Sequence, residues 1–304
     1  MKKLLIISIC TLVLANCATV AQVPLWQGKG RIAISSDGNE HDHDDWAATP
    51  LTLALLASQG LQHKVTLYTF SDHIWGSNRD HPTSESGLNS YQHMRESALE
   101  GQKWFGFENT KFICAVDDPE VAYNAMRDEI NKSSAKNPLL IIAAGPMQVT
   151  GEGINRSDIK KRKFVTVLSH SDWNNLHSDK PGKNEPPHSG WTFKEMQDSF
   201  GTLEGGNAKF IKIADQNGGE GYDGLNAPIE KFDWIKTSEA RNNPVYKPGA
   251  WDWLYLRQKT CVKENGANFD PSDAGMIVYI LTGIEKTEPF MGQKLMENPV
   301  SKKK

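Results

Sequence analysis

An α/β fold, a mainly parallel sheet with helices on both faces, is what this sequence predicts, and three observations predict it. Strand-like apolar runs alternate with helix-like segments along most of the chain. One run, "PLLIIAAG" from Pro138 to Gly145, is apolar throughout, as strands are when helices cover both faces of a sheet. The segments that follow the strand-like runs are the richest in Asp, Asn, His and Gly, and open parallel sheets bind their ligands at the carboxyl ends of their strands.

The elements follow in order. "RIAISS" (Arg31 to Ser36) reads as a buried strand and Asp45 to Gln59 as a helix, with Pro50 in its first turns, where proline costs least. "KVTLYTF" (Lys64 to Phe70) is a second strand, followed by the long loop "SDHIWGSNRDHPTSES". Gly87 to Phe105 reads as helix, "KFICAV" as a third strand, and "PEVAYNAMRDEINKSS" as a helix with proline at its start. "PLLIIAAG", "KFVTVLSH" (Lys163 to His170) and "KFIKIAD" (Lys209 to Asp215) complete six strands. Helical stretches are expected over Ala227 to Thr237, Ala250 to Lys263 and Ser272 to Thr282. Alternation at this spacing implies parallel strands joined by right-handed crossovers. With no internal repeat and no low-complexity linker, residues 22–284 read as one α/β domain and 285–304 as a polar, loosely held tail.

Residues 1–21 read as an export signal. Lys2 and Lys3 precede an apolar core from Leu4 to Leu14 and then small residues, the pattern of a secretory signal peptide and too short to span a bilayer. "LANC" ending at Cys17 has the outline of a lipoprotein box, and cleavage after Ala21 is the competing outcome. The expected location is therefore a bacterial envelope, periplasmic or lipid-anchored. The 304 residues carry a net charge of −3, without the basic excess that a nucleic-acid partner demands. Nine Trp and seven Tyr supply core and, in addition, platforms for sugars or bases. Of the cysteines, Cys114 and Cys261 belong to the mature fold, either as a disulfide or as two separate buried thiols.

The most informative stretch is "DGNEHDHDD". It places Asp37, Asn39, Glu40, His41, Asp42, His43, Asp44 and Asp45 within nine residues. Carboxylates this close repel one another, and burying them unpaired is costly. Asp44 suits a helix N-cap, but a cap needs one acid and this loop has five, four of them Asp. Oxygen-rich clusters suit a hard cation such as Ca²⁺ or Mg²⁺. A zinc site using His41, His43 and Asp45 is the alternative, since zinc favours imidazole nitrogen.

Strand, Asp, glycine-containing loop, Asp-Asp and the apolar helix "AATPLTLALLAS" together resemble the opening of the nucleoside hydrolase family (inosine/uridine-preferring N-ribohydrolases), which shows D-x-D-x-x-x-D-D there. "LLIIAAGPMQV" (Leu139 to Val149) resembles that family's strand ending in G-P-L-T-N. "DPSDAGMIVYIL" (Asp270 to Leu281) resembles its late acidic helix start, with Ser272 where the family often has His. The matches come in the family's order and cover nearly the whole mature chain. The resemblance implies a Rossmann-like, nucleoside-hydrolase-like fold and a Ca²⁺ held by Asp37, Asp45 and Asp273, with a backbone carbonyl near Gln148. It implies Asp37 as the base for a water attacking an anomeric carbon, and Asp44 on a sugar hydroxyl. The loop is longer than the family's, so Asn39, Glu40 or Asp42 are alternatives to Asp37.

For the substrate, the resemblance turns attention to the loops after the other strands. Asp72, His73 and Asn78 follow the second strand; Trp173, Asn174 and Asn175 lie in "HSDWNN"; Glu220 and Asn226 lie in "DQNGGEGYDGLN". Asn beside Trp suits sugar recognition, a hydrogen bond joined to an apolar face. The expected partner is a small nucleoside or related glycoside, and a homo-oligomer is left open. No Gly-x-Ser-x-Gly elbow, no Gly-x-Gly-x-x-Gly and no phosphate-binding Gly-Lys-Thr occurs where it would be needed. The rival readings are a zinc metallohydrolase and a non-catalytic sugar-binding protein of the same fold.

Overall fold

Six short runs, of which only LLIIAA is wholly apolar, pair into one parallel sheet in a computed structural model of the chain, which describes residues 23–39, 43–75, 87–176, 190–265 and 269–300. The strands are β1 (Arg31–Ser36), β2 (Val65–Phe70), β3 (Lys111–Cys114), β4 (Leu139–Ala144), β5 (Val165–Ser169) and β6 (Lys209–Lys212). Their order is β3-β2-β1-β4-β5-β6, and every pairing is parallel. The order reverses between β1 and β4, so the crevice beyond the ends of these two strands is where such a sheet takes a ligand.

The expected helices form as α1 (Asp45–Ser58), α2 (Ser90–Phe105), α3 (Pro119–Asn131), α9 (Ala250–Asn265) and α10 (Gly275–Thr282), the last preceded by a 3₁₀ turn over Ser272–Ala274. Four helices were not foreseen: α4 (Gln148–Asn155), α5 (Ile159–Arg162), α6 (Asp172–Leu176) and α7 (Phe193–Phe200). They are short, and several carry glycine or clustered polar residues that weaken any helical signal. The expected helix over Ala227 to Thr237 divides into a 3₁₀ turn, Ile229–Phe232, and α8, Trp234–Thr237. Residues 285–304 are not simply a loose tail. Pro289 opens α11 (Pro289–Glu297), which buries Met296; the Tyr246 hydroxyl donates to the Met296 carbonyl at 2.7 Å. Met291, Leu295 and Met296 form an apolar face that the net polarity of the segment conceals.

Each sheet face has its own core. Ile32, Ile34, Tyr68, Phe70, Leu140 and Ile142 pack beneath α1, α2, α9, α10 and α11. Ala33, Leu67, Leu139, Ile141, Val165 and Val167 pack beneath α3, α4 and α7. The alternation along each strand is the two-residue period of a sheet buried on both faces. Helix α1 is buried along its whole length, which explains its lack of a polar stripe. Cys114 and Cys261 are both buried and both free thiols, not a disulfide. No helix among the described residues is long and apolar enough to cross a membrane. Residues 1–22, Glu40, His41, Asp42 and Asn78 lie outside the described residues.

Candidate metal centre and its pocket

At the switch point between β1 and β4, three carboxylates meet. One ligand oxygen each from Asp37, Asp45 and Asp273 lies within 4.8 Å of the others, and all three residues are buried. Asp37 extends β1 by one residue, its N–H donating to the Ala144 carbonyl at 3.2 Å and its carbonyl accepting from Ser71 N–H at 3.3 Å. Gly145 packs against it: a Cβ there would stand 3.0–3.2 Å from Asp37, so the glycine after β4 is what lets β1 and β4 end side by side. Asp45 is the first residue of α1, and its Oδ1 accepts from the Ser36 hydroxyl at 2.9 Å. The turn between them needs Gly38, at φ +90, where a Cβ would come within 2.6 Å of the Asp45 side chain. Asp273 arrives on the 3₁₀ turn ahead of α10.

The electrostatics are those of crowded like charges. Burial, followed by the Asp37 carboxylate, the hydrogen bond the pair share, and the charges of Asp273 and Asp44, holds Asp45 well above the usual carboxylate range. The donor atoms are all carboxylate oxygens, with no imidazole among them, and that set suits a hard divalent cation rather than zinc. A cation would relieve the repulsion that raises Asp45. The residues present therefore fit the group that the sequence led us to expect.

The cluster forms one wall of a pocket of about 330 Å³. Asp44 and His43 line it on the α1 side. Asp44 occupies the N-cap position with helical backbone angles and makes no side-chain capping bond, so capping does not account for it. His43 lies edge-on to Trp46 at 4.6 Å. His170, Ser171, Trp173 and Asn174, after β5, form a second wall; Asn217, Asp270 and Ser272 form a third. Ser171 sits at φ +62, left-handed for a residue with a Cβ, a strain that turns the chain sharply at the pocket rim. Trp173 is 41% exposed there. Asn174 is buried and donates to Asp273 Oδ1 at 3.3 Å. Burial pushes Asp270 up to about 6, and Asn226 Nδ2 donates to its Oδ2 at 2.6 Å.

His170 was not singled out in the sequence, although it stands at the end of β5, where such a sheet places ligand-binding groups. It is 1% exposed. Its Nε2 meets Asp273 Oδ1 at 2.6 Å; its Nδ1 lies 3.2 Å from the Gln216 N–H and 3.4 Å from Asp215 Oδ1. Burial alone would lower this ring, but Asp215 and Asp273 outweigh it and hold the ring up to about 9. The same contact, His170 first, holds Asp215 well below its ordinary range. A protonated Nδ1 would face Asp215, whereas the Gln216 amide needs a bare one. Nε2–H donates to Asp273 in either case, and that contact is the shortest of the three.

Other expected residues fall elsewhere. Asn39 and His73 are buried and clasp each other: Asn39 Nδ2 donates to the His73 carbonyl at 2.8 Å and Asn39 Oδ1 accepts the His73 N–H at 3.1 Å. Neither lines the pocket. Nor does Gln148, the first residue of α4, whose Oε1 accepts the Trp191 N–H at 2.9 Å; a helical carbonyl at that position points along the helix toward the next turn. Asn175 accepts from the Ser169 hydroxyl at 2.8 Å behind the pocket wall. Glu220 is exposed, away from the pocket. Asn226 acts one layer back, on Asp270 and on Asn217. Asp72 is buried on the opposite sheet face, where it accepts from the hydroxyls of Ser35 and Thr69.

Comparison with known proteins gives one relative to report. The chain is 31% identical over 279 residues, 90% of each chain, to "Uncharacterized protein P22" of Formosa agariphila. No family model and no solved structure matches it.

Proposed function

This chain belongs to one family with protein P22 of Formosa agariphila, and we propose for it an exported, Ca²⁺-dependent hydrolase of nucleoside-hydrolase-like fold that cleaves the N-glycosidic bond of a nucleoside or a related small glycoside. One observation carries the reading: three buried carboxylates, drawn from the two ends of the domain, converge on a pocket at the switch point of the sheet. The sequence resemblance to nucleoside hydrolases names the same three residues as ligands.

Asp37, Asp45 and Asp273 would hold the ion. When bound, a divalent cation supplies a fixed positive charge that orients sugar hydroxyls and makes a water easier to deprotonate. The chain's own groups do the rest. Asp37 takes the proton of the attacking water as the C–N glycosidic bond breaks; its electron pair leaves with the departing base, which takes a proton from solvent at the pocket mouth. Asp44, on the pocket wall, accepts a hydrogen bond from a sugar hydroxyl. The surrounding carboxylates stabilise positive charge as it develops at the anomeric carbon. Trp173 offers an apolar face to the ring of the sugar or of its leaving group, and Asn174 and Asn217 offer polar contacts at the same rim. The signal-like segment at residues 1–21 supports an envelope location, where nucleosides or polysaccharide fragments outside the inner membrane are the accessible substrates.

The test has two steps. Metal analysis of the purified chain should find calcium in near-stoichiometric amount and no zinc. A panel of nucleosides and aryl ribosides should then include at least one that is hydrolysed in a chelator-sensitive manner. Stoichiometric zinc would move the reading to a metallohydrolase. Retained calcium with no turnover of any glycoside would move it to a sugar-binding protein.

A further inference from the structure

We infer that His170 is the positioning residue of the cation site, holding Asp273 in the rotamer that presents a carboxylate oxygen to the ion, and that Gln216 locks His170 from behind. The inference rests on the cation site proposed above.

Two donors reach Asp273, and both fall on the same oxygen. His170 Nε2 lies 2.6 Å from Oδ1 and Asn174 Nδ2 lies 3.3 Å from it. Two donors thus fix Oδ1 to the pocket wall, while Asp273 keeps a carboxylate oxygen within 4.8 Å of the ligand oxygens of Asp37 and Asp45. The imidazole could not hold this direction unless it were held itself. Its Nδ1 edge faces the Asp215 carboxylate at 3.4 Å and the backbone N–H of Gln216 at 3.2 Å, so the 215–216 segment holds the ring whichever partner Nδ1 takes.

Gln216 is fully buried and committed at every polar group. Its Nε2 donates to the carbonyls of Ala214 at 2.6 Å and Glu285 at 2.7 Å, its Oε1 accepts from the Thr287 hydroxyl at 2.6 Å, and its carbonyl accepts from Leu225 N–H at 2.8 Å. The anchor therefore runs from the segment between α10 and α11, through the loop after β6, to a ring at the end of β5, and ends on a ligand carboxylate. Ala214, Leu225, Glu285 and Thr287 do not themselves line the pocket. Outer partners of this kind commonly change metal affinity by about 10- to 100-fold when removed.

The experiment titrates the full mature chain with terbium(III) alone, read by its luminescence, in wild type, His170→Ala and His170→Gln. Wild type should bind. His170→Ala should bind about 10- to 100-fold more weakly. His170→Gln, which retains an N–H donor at similar reach, should recover most of the loss, while its metal-free melting temperature stays that of wild type. The glutamine variant keeps the test open if alanine fails to fold. A His170→Ala protein that binds terbium as tightly as wild type overturns the inference and leaves the cation site standing. So does a folded glutamine variant that binds no better than alanine. If wild type itself binds no terbium and no calcium, the cation site fails, and this role for His170 falls with it.

Discussion

The carboxylates of Asp37 and Asp273 approach within 4.8 Å, although Asp37 ends the first strand and Asp273 comes from the turn ahead of α10. Two buried like charges at that distance, with Asp45 as a third, are unfavourable unless a proton or a cation sits among them. Asp37→Asn and Asp273→Ala should each weaken calcium binding at least about 10-fold, since affinity at such sites follows ligand charge, and should leave the circular dichroism spectrum unchanged. Elemental analysis after dialysis checks this, and full calcium occupancy in either variant removes that residue from the ligand set.

Calcium should also stabilise the fold, because the ligands assemble only when β1, α1 and the turn before α10 are together. At a hundredfold excess over its dissociation constant the ion contributes about 2.7 kcal/mol, worth roughly 5 °C in melting temperature for a domain of this size. Addition of chelator should reverse the shift, and Asp45→Asn should abolish it. A melting temperature indifferent to calcium in wild type would contradict the site.

Asp72 predicts a pH effect independent of the ion. Burial pushes its carboxyl up to about 7, against the lowering effect of its bonds from Ser35 and Thr69, and its Oδ1 has no hydrogen-bond partner among the described residues. A carboxyl raised in the folded state favours folding below its ordinary pKa and loses that contribution as pH rises toward its folded value. Between pH 4 and pH 7 stability should fall by an amount on the order of 4 kcal/mol, and Asp72→Asn should flatten this slope. Urea denaturation across that range in chelator measures it; an unchanged slope in the variant assigns the pH dependence to other groups.

The clasp between Asn39 and His73 separates a structural role from a binding one. Asn39→Ala should cost about 1–3 kcal/mol by leaving the buried backbone groups of His73 without partners, while calcium affinity stays that of wild type. Denaturation and calcium titration of the same preparation decide it. Loss of calcium without loss of stability would return Asn39 to the site.

Much of this architecture was legible because the strand runs are apolar and the strand ends are not. The rule that ligands gather beyond the carboxyl ends of parallel strands points, from the sequence alone, to Asp37, Trp173, Asn174 and the Asp215–Asn226 loop. Asp273 needed the resemblance, since nothing local distinguishes it from a helix-start aspartate. The misplaced residues share a cause. Asn39, His73 and Asn175 are polar residues at strand ends, as the rule requires, but the Asn39 amide and the His73 backbone are taken up by each other, and the Asn175 Oδ1 by the Ser169 hydroxyl. Sequence marks a polar residue near a site; it does not show which hydrogen bonds that residue has already made. His170 and Asp270 were passed over for the opposite reason, because their partners, Asp273 and Asn226, lie far away along the chain.

Trp173 gives the clearest separation of binding from chemistry. It stands at the pocket rim with 41% of its surface exposed, so truncating it empties no core and should leave the melting temperature within about a degree or two of wild type. Its indole can face a sugar or base only in the bound complex, where an aromatic contact is worth about 0.5–1.5 kcal/mol beyond the area it covers. Trp173→Ala should therefore raise KM by roughly tenfold on the substrate that the panel identifies, with kcat nearly unchanged, as for an interaction made equally in ground and transition states. Trp173→Phe should recover part of the loss. Steady-state kinetics of the two variants settle the point: a fall in kcat at constant KM would place the indole against the reacting centre and not beneath the bound ring.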